Sequence, residues 1–204
     1  MRIEKPTPID EKMELDPERY FISSTDLQGI ITSVNVYFSK ISGYSEKELI
    51  GSPHNIVRHP DMPRIIFKIM WDRIQTGKNM CAVIKNLAKN GKYYWVVTDF
   101  EILKDNSGES IGYRAFRRAA KDETIKTVEP IYSKLLEVEK EGGILASKDE
   151  LIKILKEKNM SYDDFINNEI KKSGLKGAFG GLLRKFGFWI FSYLISINIK
   201  IYGN

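Results

Sequence analysis

Between Arg19 and Arg118 the spacing of apolar positions switches between the period of a strand and the period of a helix. Tyr20-Phe21-Ile22-Ser23-Ser24-Thr25 is aromatic and β-branched, Asp26-Leu27-Gln28-Gly29 carries turn chemistry, and Ile30-Ile31-Thr32-Ser33-Val34 reads as a second strand. The segment predicts a hairpin. Asn35 can cap a short helix over Val36 to Ile41 that ends at Gly43, and Ser45-Glu46-Lys47-Glu48 opens another as a capping box, closed by Gly51. From Pro63 the period lengthens: Ile66, Ile69, Met70 and Ile74 form a helical stripe with Arg64, Lys68 and Arg73 outside it, and Gly77 ends the helix. Met80 to Leu87, Lys92 to Leu103 and Ser110 to Arg117 read as three strands, separated by the turn signals Lys89-Asn90-Gly91 and Asp105-Asn106-Ser107-Gly108.

Two strands, several short helices, a longer helix and a three-stranded meander predict an α+β domain: a five-stranded antiparallel sheet with short helices on one face. We place this domain at residues 19–120. Residues 1–18 contain Pro6, Pro8 and Pro17 and lack apolar periodicity, so they predict an extended, loosely attached lead-in without core. Residues 121–173 predict a helical appendage. Asp122 to Glu141 has a charged helical pattern, Gly142-Gly143 breaks it, and Ser147-Lys148-Asp149-Glu150 caps a short amphipathic helix. Residues 174–204 begin with a joint at Gly174, Gly177, Gly180 and Gly181 and continue into an apolar and basic segment.

Composition narrows the class. With 204 residues, 42% hydrophobic and 29% charged, the chain fits one ordinary domain plus a small second unit, which excludes a disordered, collagenous or multi-span membrane protein. A single cysteine, Cys81, rules out an intramolecular disulfide and a cysteine-based zinc site and points to a reducing compartment. The first twenty residues carry charge and proline where a signal peptide needs an apolar core, so a cytoplasmic location is expected. The formal net charge of +5 is small, and no nucleic-acid partner is expected. The positive charge gathers at the C-terminal end, where Lys171, Lys172, Lys176, Arg184, Lys185 and Lys200 have no acidic counterpart. Phe186 to Ile199 is uncharged but shorter than the ~20 residues of a membrane-spanning helix. Two readings stay open for residues 182–204: contact with the inner face of the membrane as a peripheral attachment, or a buried segment packing on this protein or its dimer mate.

The residues that carry chemistry cluster in Ser52-Pro53-His54-Asn55-Ile56-Val57-Arg58-His59-Pro60-Asp61-Met62-Pro63, where prolines restrict the backbone. Asp26-Leu27-Gln28-Gly29-Ile30-Ile31 followed by Asn35, Phe38 and Gly43-Tyr44 resembles the opening of the PAS sensor fold. A sharper match is His54 to Pro63, with Trp71, Val83-Ile84-Lys85-Asn86 and Lys89-Asn90-Gly91-Lys92-Tyr93-Tyr94-Trp95-Val96. Together these resemble the FAD-binding PAS domain of the aerotaxis, or energy-taxis, transducers over about residues 10 to 125. The resemblance implies a PAS fold with FAD held by Arg58, His59, Asp61, His54 and Asn86. Trp71 supports the pocket, and Asn35 and Met80 complete the cofactor-binding positions. Met80 stands where the family usually has a tryptophan, so an aromatic contact is missing or replaced.

These residue types suit a flavin, which needs a flat apolar slot, polar groups for the ring edge and a cation for the diphosphate. Arg58 can fork onto a phosphate or carboxylate oxygen, Asp61 can accept an N–H or anchor Arg58, and Asn86 can donate and accept at once. Bland readings stand beside these: Arg58 and Asp61 as a loop-bracing ion pair, and His54 and His59 as loop histidines satisfied by backbone. Trp95 reads as core, and Trp71 as either core or cofactor wall. A haem sensor with His54 or His59 as axial ligand is the alternative cofactor reading, and a cofactor-free dimerisation or interaction module is the other. A cysteinyl-flavin adduct is not expected, because Gly51-Ser52-Pro53-His54 lacks the reactive cysteine that light-sensing relatives carry there.

No phosphate loop, Gly-x-Ser-x-Gly elbow or His-Glu-x-x-His motif is present, so the chain reads as a sensor and not an enzyme. Its appendage is too short for a chemoreceptor signalling hairpin, which places the output in another protein. The expected function is a signal-transduction sensor that reports oxygen-linked redox or energy status. The resemblance implies a membrane chemoreceptor or transducer as partner, in a homodimer or a hetero-complex.

Overall fold

A computed structural model describes residues 4–173. The glycine joint and C-terminal segment, with the membrane-contact reading of residues 182–204, lie outside the described residues.

The element order is β1 (Phe21–Thr25), β2 (Ile31–Val34), α1 (Val36–Ser42), α2 (Glu46–Leu49), a 3₁₀ turn (His54–Val57), α3 (Arg64–Gln75), β3 (Met80–Leu87), β4 (Tyr93–Lys104), β5 (Ser110–Ala119), α4 (Asp122–Glu157) and α5 (Tyr162–Lys172). The strands form one five-stranded antiparallel sheet in the order β2-β1-β5-β4-β3. Pairing of β1 with β5 brings the first and last strands of the domain together at its centre.

Side chains alternate across a strand, so the register assigns two faces. Ile84 opposite Val96, Asn86 opposite Tyr94, Thr98 opposite Arg117 and Ser23 opposite Ala115 mark the inner face. Lys85 opposite Trp95 and Val83 opposite Val97 mark the outer one. The inner face is covered by α1 to α3. Along α3, Ile65, Ile66, Met70 and Ile74 are buried, each contributing roughly 1.5–3 kcal/mol relative to exposure.

Asn35 explains how α1 is fixed. Its Oδ1 accepts from the Phe38 N–H as an N-cap and from the Ile22 N–H of β1, while Nδ2 donates to the Tyr20 carbonyl. Three bonds to neighbouring backbone tie the helix start to the first strand.

One feature differs from the expectation and a second adds to it. The lead-in is extended but not free of core: Ile9 N–H donates to Gly91 O, Met13 N–H to Tyr93 O and Tyr93 N–H to Glu11 O, and Met13 and Leu15 pack against the core cluster. Unpaired backbone groups at the β3–β4 turn hold it there. The appendage, in turn, packs on the outer face beside β3. Tyr132 of α4 lies 6.2 Å from the Trp95 ring, and its hydroxyl donates to the Val83 carbonyl at 2.9 Å, on the strand edge that β4 leaves open. The break expected at Gly142-Gly143 is present as a kink, with Gly143 at φ 70°, ψ −167°. Beyond it, Ser161 caps α5 through a capping box with Asp164.

Candidate cofactor cavity

Between the inner face of the sheet, the 3₁₀ turn and α3 lies a cavity of about 310 Å³, at the small end of ligand pockets. Its apolar wall includes Phe67, Met70, Trp71 and Ile74 from α3 and Ile84, Phe100 and Tyr113 from the sheet. Ser23, His54, Arg58, Asn86 and Arg117 supply polar groups.

The 3₁₀ turn delivers His54 into a buried triad. Arg117 Nη2 lies 2.9 Å from His54 Nε2, Ser23 Oγ lies 2.9 Å from the same nitrogen, and Arg117 Nη1 donates to Ser23 Oγ at 2.9 Å. A guanidinium only donates, so His54 Nε2 is the acceptor and the imidazole is neutral. Burial, reinforced by the Arg117 charge, pushes His54 down to about 3.

Arg58 and Asn86 are placed together by the backbone, because an isolated antiparallel bridge joins Arg58 to Asn86 on the free edge of β3. Arg58 Nη2 donates to the Met62 carbonyl at 2.8 Å, and its guanidinium sits 4.7 Å from the Phe67 ring centroid. Burial lowers its pKa, the nearby Arg64 adds to that, and the Glu139 carboxylate opposes it. Asn86 is 4% exposed, and its Nδ2 is buried without a hydrogen-bond partner. Such an orphaned donor is costly in a finished core and suits a wall that meets a ligand acceptor.

Trp71 stands edge-on to Tyr113, with ring centroids 5.5 Å apart. Gly29 backs it: a Cβ there would come within 3.0 Å of the indole, and its φ of +81° also favours glycine. Trp71 is therefore cavity wall as well as packing.

The cavity gathers four of the eight candidate positions, His54, Arg58, Trp71 and Asn86. Asn35 serves as the α1 cap described above. Met80 is buried in the core at the start of β3 and does not line the cavity; its cross-strand partner Phe100 is one of the aromatic residues that do. His59 and Asp61 turn to the other side of the sheet. The His59 ring packs edge-on to Tyr93 at 6.0 Å and its Nδ1 accepts from the Asp61 N–H, while the Asp61 carboxylate pairs with Lys85 Nζ at 2.9 Å. The reading of Asp61 as an anchor for Arg58 is thus corrected: the nearly buried ammonium of Lys85, on the outer phase of β3, takes that carboxylate. Burial and the Lys85 charge also lower the pKa of His59.

Sequence reasoning missed Ser23 and Arg117. The available signal was phase: Tyr113, Ala115 and Arg117 alternate on one face of β5, which puts a cation where the core should be.

The composition of this wall fits a flavin ring. It offers flat apolar surface, an amide with an unpartnered donor and buried cations. It does not fit haem as it stands, since axial ligation needs a free ring nitrogen facing the cavity and His54 Nε2 is held by Arg117 and Ser23.

Residues 31–130 match the family model described as PAS fold, and the domain they build is a PAS domain. Over 114 residues the chain is 44% identical to the aerotaxis receptor of Escherichia coli (strain K12), a match covering 56% of this chain and 22% of that protein. It is 29% identical to the nitrogen fixation regulatory protein of Klebsiella pneumoniae over 97 residues, 48% of this chain and 20% of that one. A solved light-oxygen-voltage domain aligns with a TM-score of 0.48 at 18% identity, covering 53% of this chain and 82% of the other. The chain spans 22% and 20% of the length of these two curated relatives. It carries a PAS sensor domain related to that of the aerotaxis receptor.

Proposed function

We propose that the chain is a non-enzymatic signal-transduction sensor whose PAS domain holds FAD non-covalently and reports oxygen-linked redox or energy status to a membrane chemoreceptor complex. The observation that carries the reading is the joining of Arg58 and the orphaned Asn86 amide at one cavity wall, within a sequence 44% identical to the aerotaxis receptor.

A bound flavin supplies reversible electron uptake. The protein's part is to seat and read it. Trp71, Phe100 and Tyr113 provide flat surface, Asn86 offers both a donor and an acceptor to a ring edge, and Arg58 offers a cation. A change of charge in the cavity acts on Arg58, which Glu139 of α4 also feels. Because Glu139 in addition bonds the first turn of α3, the same carboxylate links the cavity helix to the appendage. The proposal is a two-state one: α4 docks differently with oxidised and reduced cofactor. Hydrogen exchange along α4 tests it, with a change in protection on reduction expected and identical protection contradicting the route.

The partner in this reading is a cytoplasm-facing part of a receptor, bound by a homodimer or within a hetero-complex. Among the described residues no helix is long and apolar enough to cross a membrane. A cofactor-free dimerisation or interaction module is the second reading, favoured by the small volume of the cavity, about 310 Å³. A folded, colourless protein after purification with added FAD would support it.

A further inference from the structure

Among the described residues, two ion pairs join α3 to the appendage, one at each end of the helix, and they differ in kind. At the start, the 6% exposed side chain of Glu139 on α4 accepts from the Arg64 N–H, from Arg64 Nε and from the Ile65 N–H. At the end, Arg73 Nη1 pairs with the Asp163 carboxylate of α5, and these side chains are 28% and 44% exposed. The first contact completes a helix terminus, so losing it orphans backbone N–H groups. The second is open to water, and both partners are solvated when it parts. Asp163 lies in the first turn of α5, where the helix dipole favours a carboxylate with or without Arg73. One end of α3 is an anchor, and the other is a contact that breaks at little cost.

The breakable end is also the end that faces the ligand. Met70, Trp71 and Ile74 line the cavity within one turn of Arg73. Residues 75–79, which carry the chain from there to β3, are exposed, so no core fixes this end of the helix. The appendage has a joint to match. Gly143, at φ 70° and ψ −167°, occupies backbone space that in practice only glycine reaches. It divides the part of α4 that carries Glu139 from residues 144–157, which lead into α5 and Asp163. The two contacts of α3 therefore lie on opposite sides of the kink.

We infer that α3 is a lever between the cavity and α5, pivoting at Glu139, and that an occupant of the cavity opens the Arg73–Asp163 contact. The inference rests on the flavin reading for its occupant. The direction follows from volume: about 310 Å³ is small for a three-ring ligand, so seating one moves the unanchored end of α3 away from the sheet and from α5. Linkage makes the effect reciprocal. If FAD opens the contact, removing the contact tightens FAD binding by the same factor.

The test titrates the full chain with FAD and follows hydrogen exchange in the first turn of α5. Asp163→Asn and Arg73→Gln should each bind FAD about three- to tenfold more tightly, and the double variant no more tightly than either alone. Asp72→Asn, which removes the Lys68 ion pair within α3, should bind as wild type does. FAD should speed exchange at the start of α5 in wild type and leave it unchanged in Asp163→Asn. Asp163→Asn binding FAD as wild type does, or more weakly, overturns the inference even if Arg73→Gln fails to fold. So does equal protection of α5 in wild type with and without FAD. Either result, with flavin bound, leaves the flavin reading intact. A chain that retains no FAD removes that reading and this inference together.

Discussion

Glu139 on α4 and Arg64 at the start of α3 are joined through both backbone and side chain. Glu139 Oε1 accepts from the Arg64 N–H at 3.0 Å and from Arg64 Nε at 2.8 Å, and Oε2 accepts from the Ile65 N–H at 3.3 Å. The helix has Pro63 in the N-cap position, without a side-chain cap of its own, so a carboxylate from the appendage supplies the missing acceptor. Glu139→Gln should lower the unfolding free energy by about 1–3 kcal/mol. It should also raise hydrogen exchange in the first turn of α3, which a variant at a surface glutamate such as Glu141 would not do.

The bond from Tyr132 to the Val83 carbonyl makes α4 a cover for the exposed edge of β3. Tyr132→Phe keeps the ring packing against Trp95 and removes only that donor. A loss of about 1 kcal/mol in urea denaturation is expected, with faster exchange on the outer edge of β3. No change in either would mean that α4 is held by apolar contact alone.

Asn86 separates binding from stability. Its buried Nδ2 lacks a partner in the ligand-free fold, so Asn86→Leu should leave the unliganded protein as stable as before or up to about 1 kcal/mol more stable. FAD retention should fall at least about tenfold with the loss of the amide. A variant that is destabilised yet binds FAD normally would contradict the role assigned to this residue.

Acid lability should report His54. The unfolded chain binds the His54 proton below about pH 6.5, whereas the folded chain does not until about 3, so unfolding is favoured as pH falls through that interval. The slope is at most ~1.4 kcal/mol per pH unit. Only two histidines are present, and His59 is shifted the same way, so both contribute as pH falls below about 6.5. Burial raises the pKa of Asp99 and Glu101, which acts in the opposite sense above the usual carboxylate range. The difference between wild type and His54→Gln therefore isolates the residue: denaturation of the variant should be flatter across this window, and equal slopes would refute the assignment.

Local chemistry made much of the fold legible. Asn90-Gly91 and Ser107-Gly108 mark the β3–β4 and β4–β5 connections, with Gly91 at φ +86° and Gly108 at φ +87°. Gly77, at φ +81°, follows the end of α3. The run Met80-Cys81-Ala82-Val83-Ile84 is apolar in both phases, a sign of burial on two faces that accounts for α4 and α5 on the outer side. What could not be read was direction and distance. Nothing local tells that the chain turns at Pro60 so that Arg58 faces the cavity while His59 and Asp61 face Lys85. Glu139 meets Arg64 across 75 positions of sequence, and a glutamate in a charged helix carries no mark of being a buried acceptor. Arg117 was legible only as a charge out of place on an inward phase.

The central claim is that the cavity holds a flavin, and the direct measurement is an absorption spectrum of the full chain purified with added FAD, followed by acid release and chromatography. Bands near ~370 and ~450 nm, with FAD released, are the result expected. A colourless folded protein, or a Soret band near ~400 nm from bound haem, would contradict it.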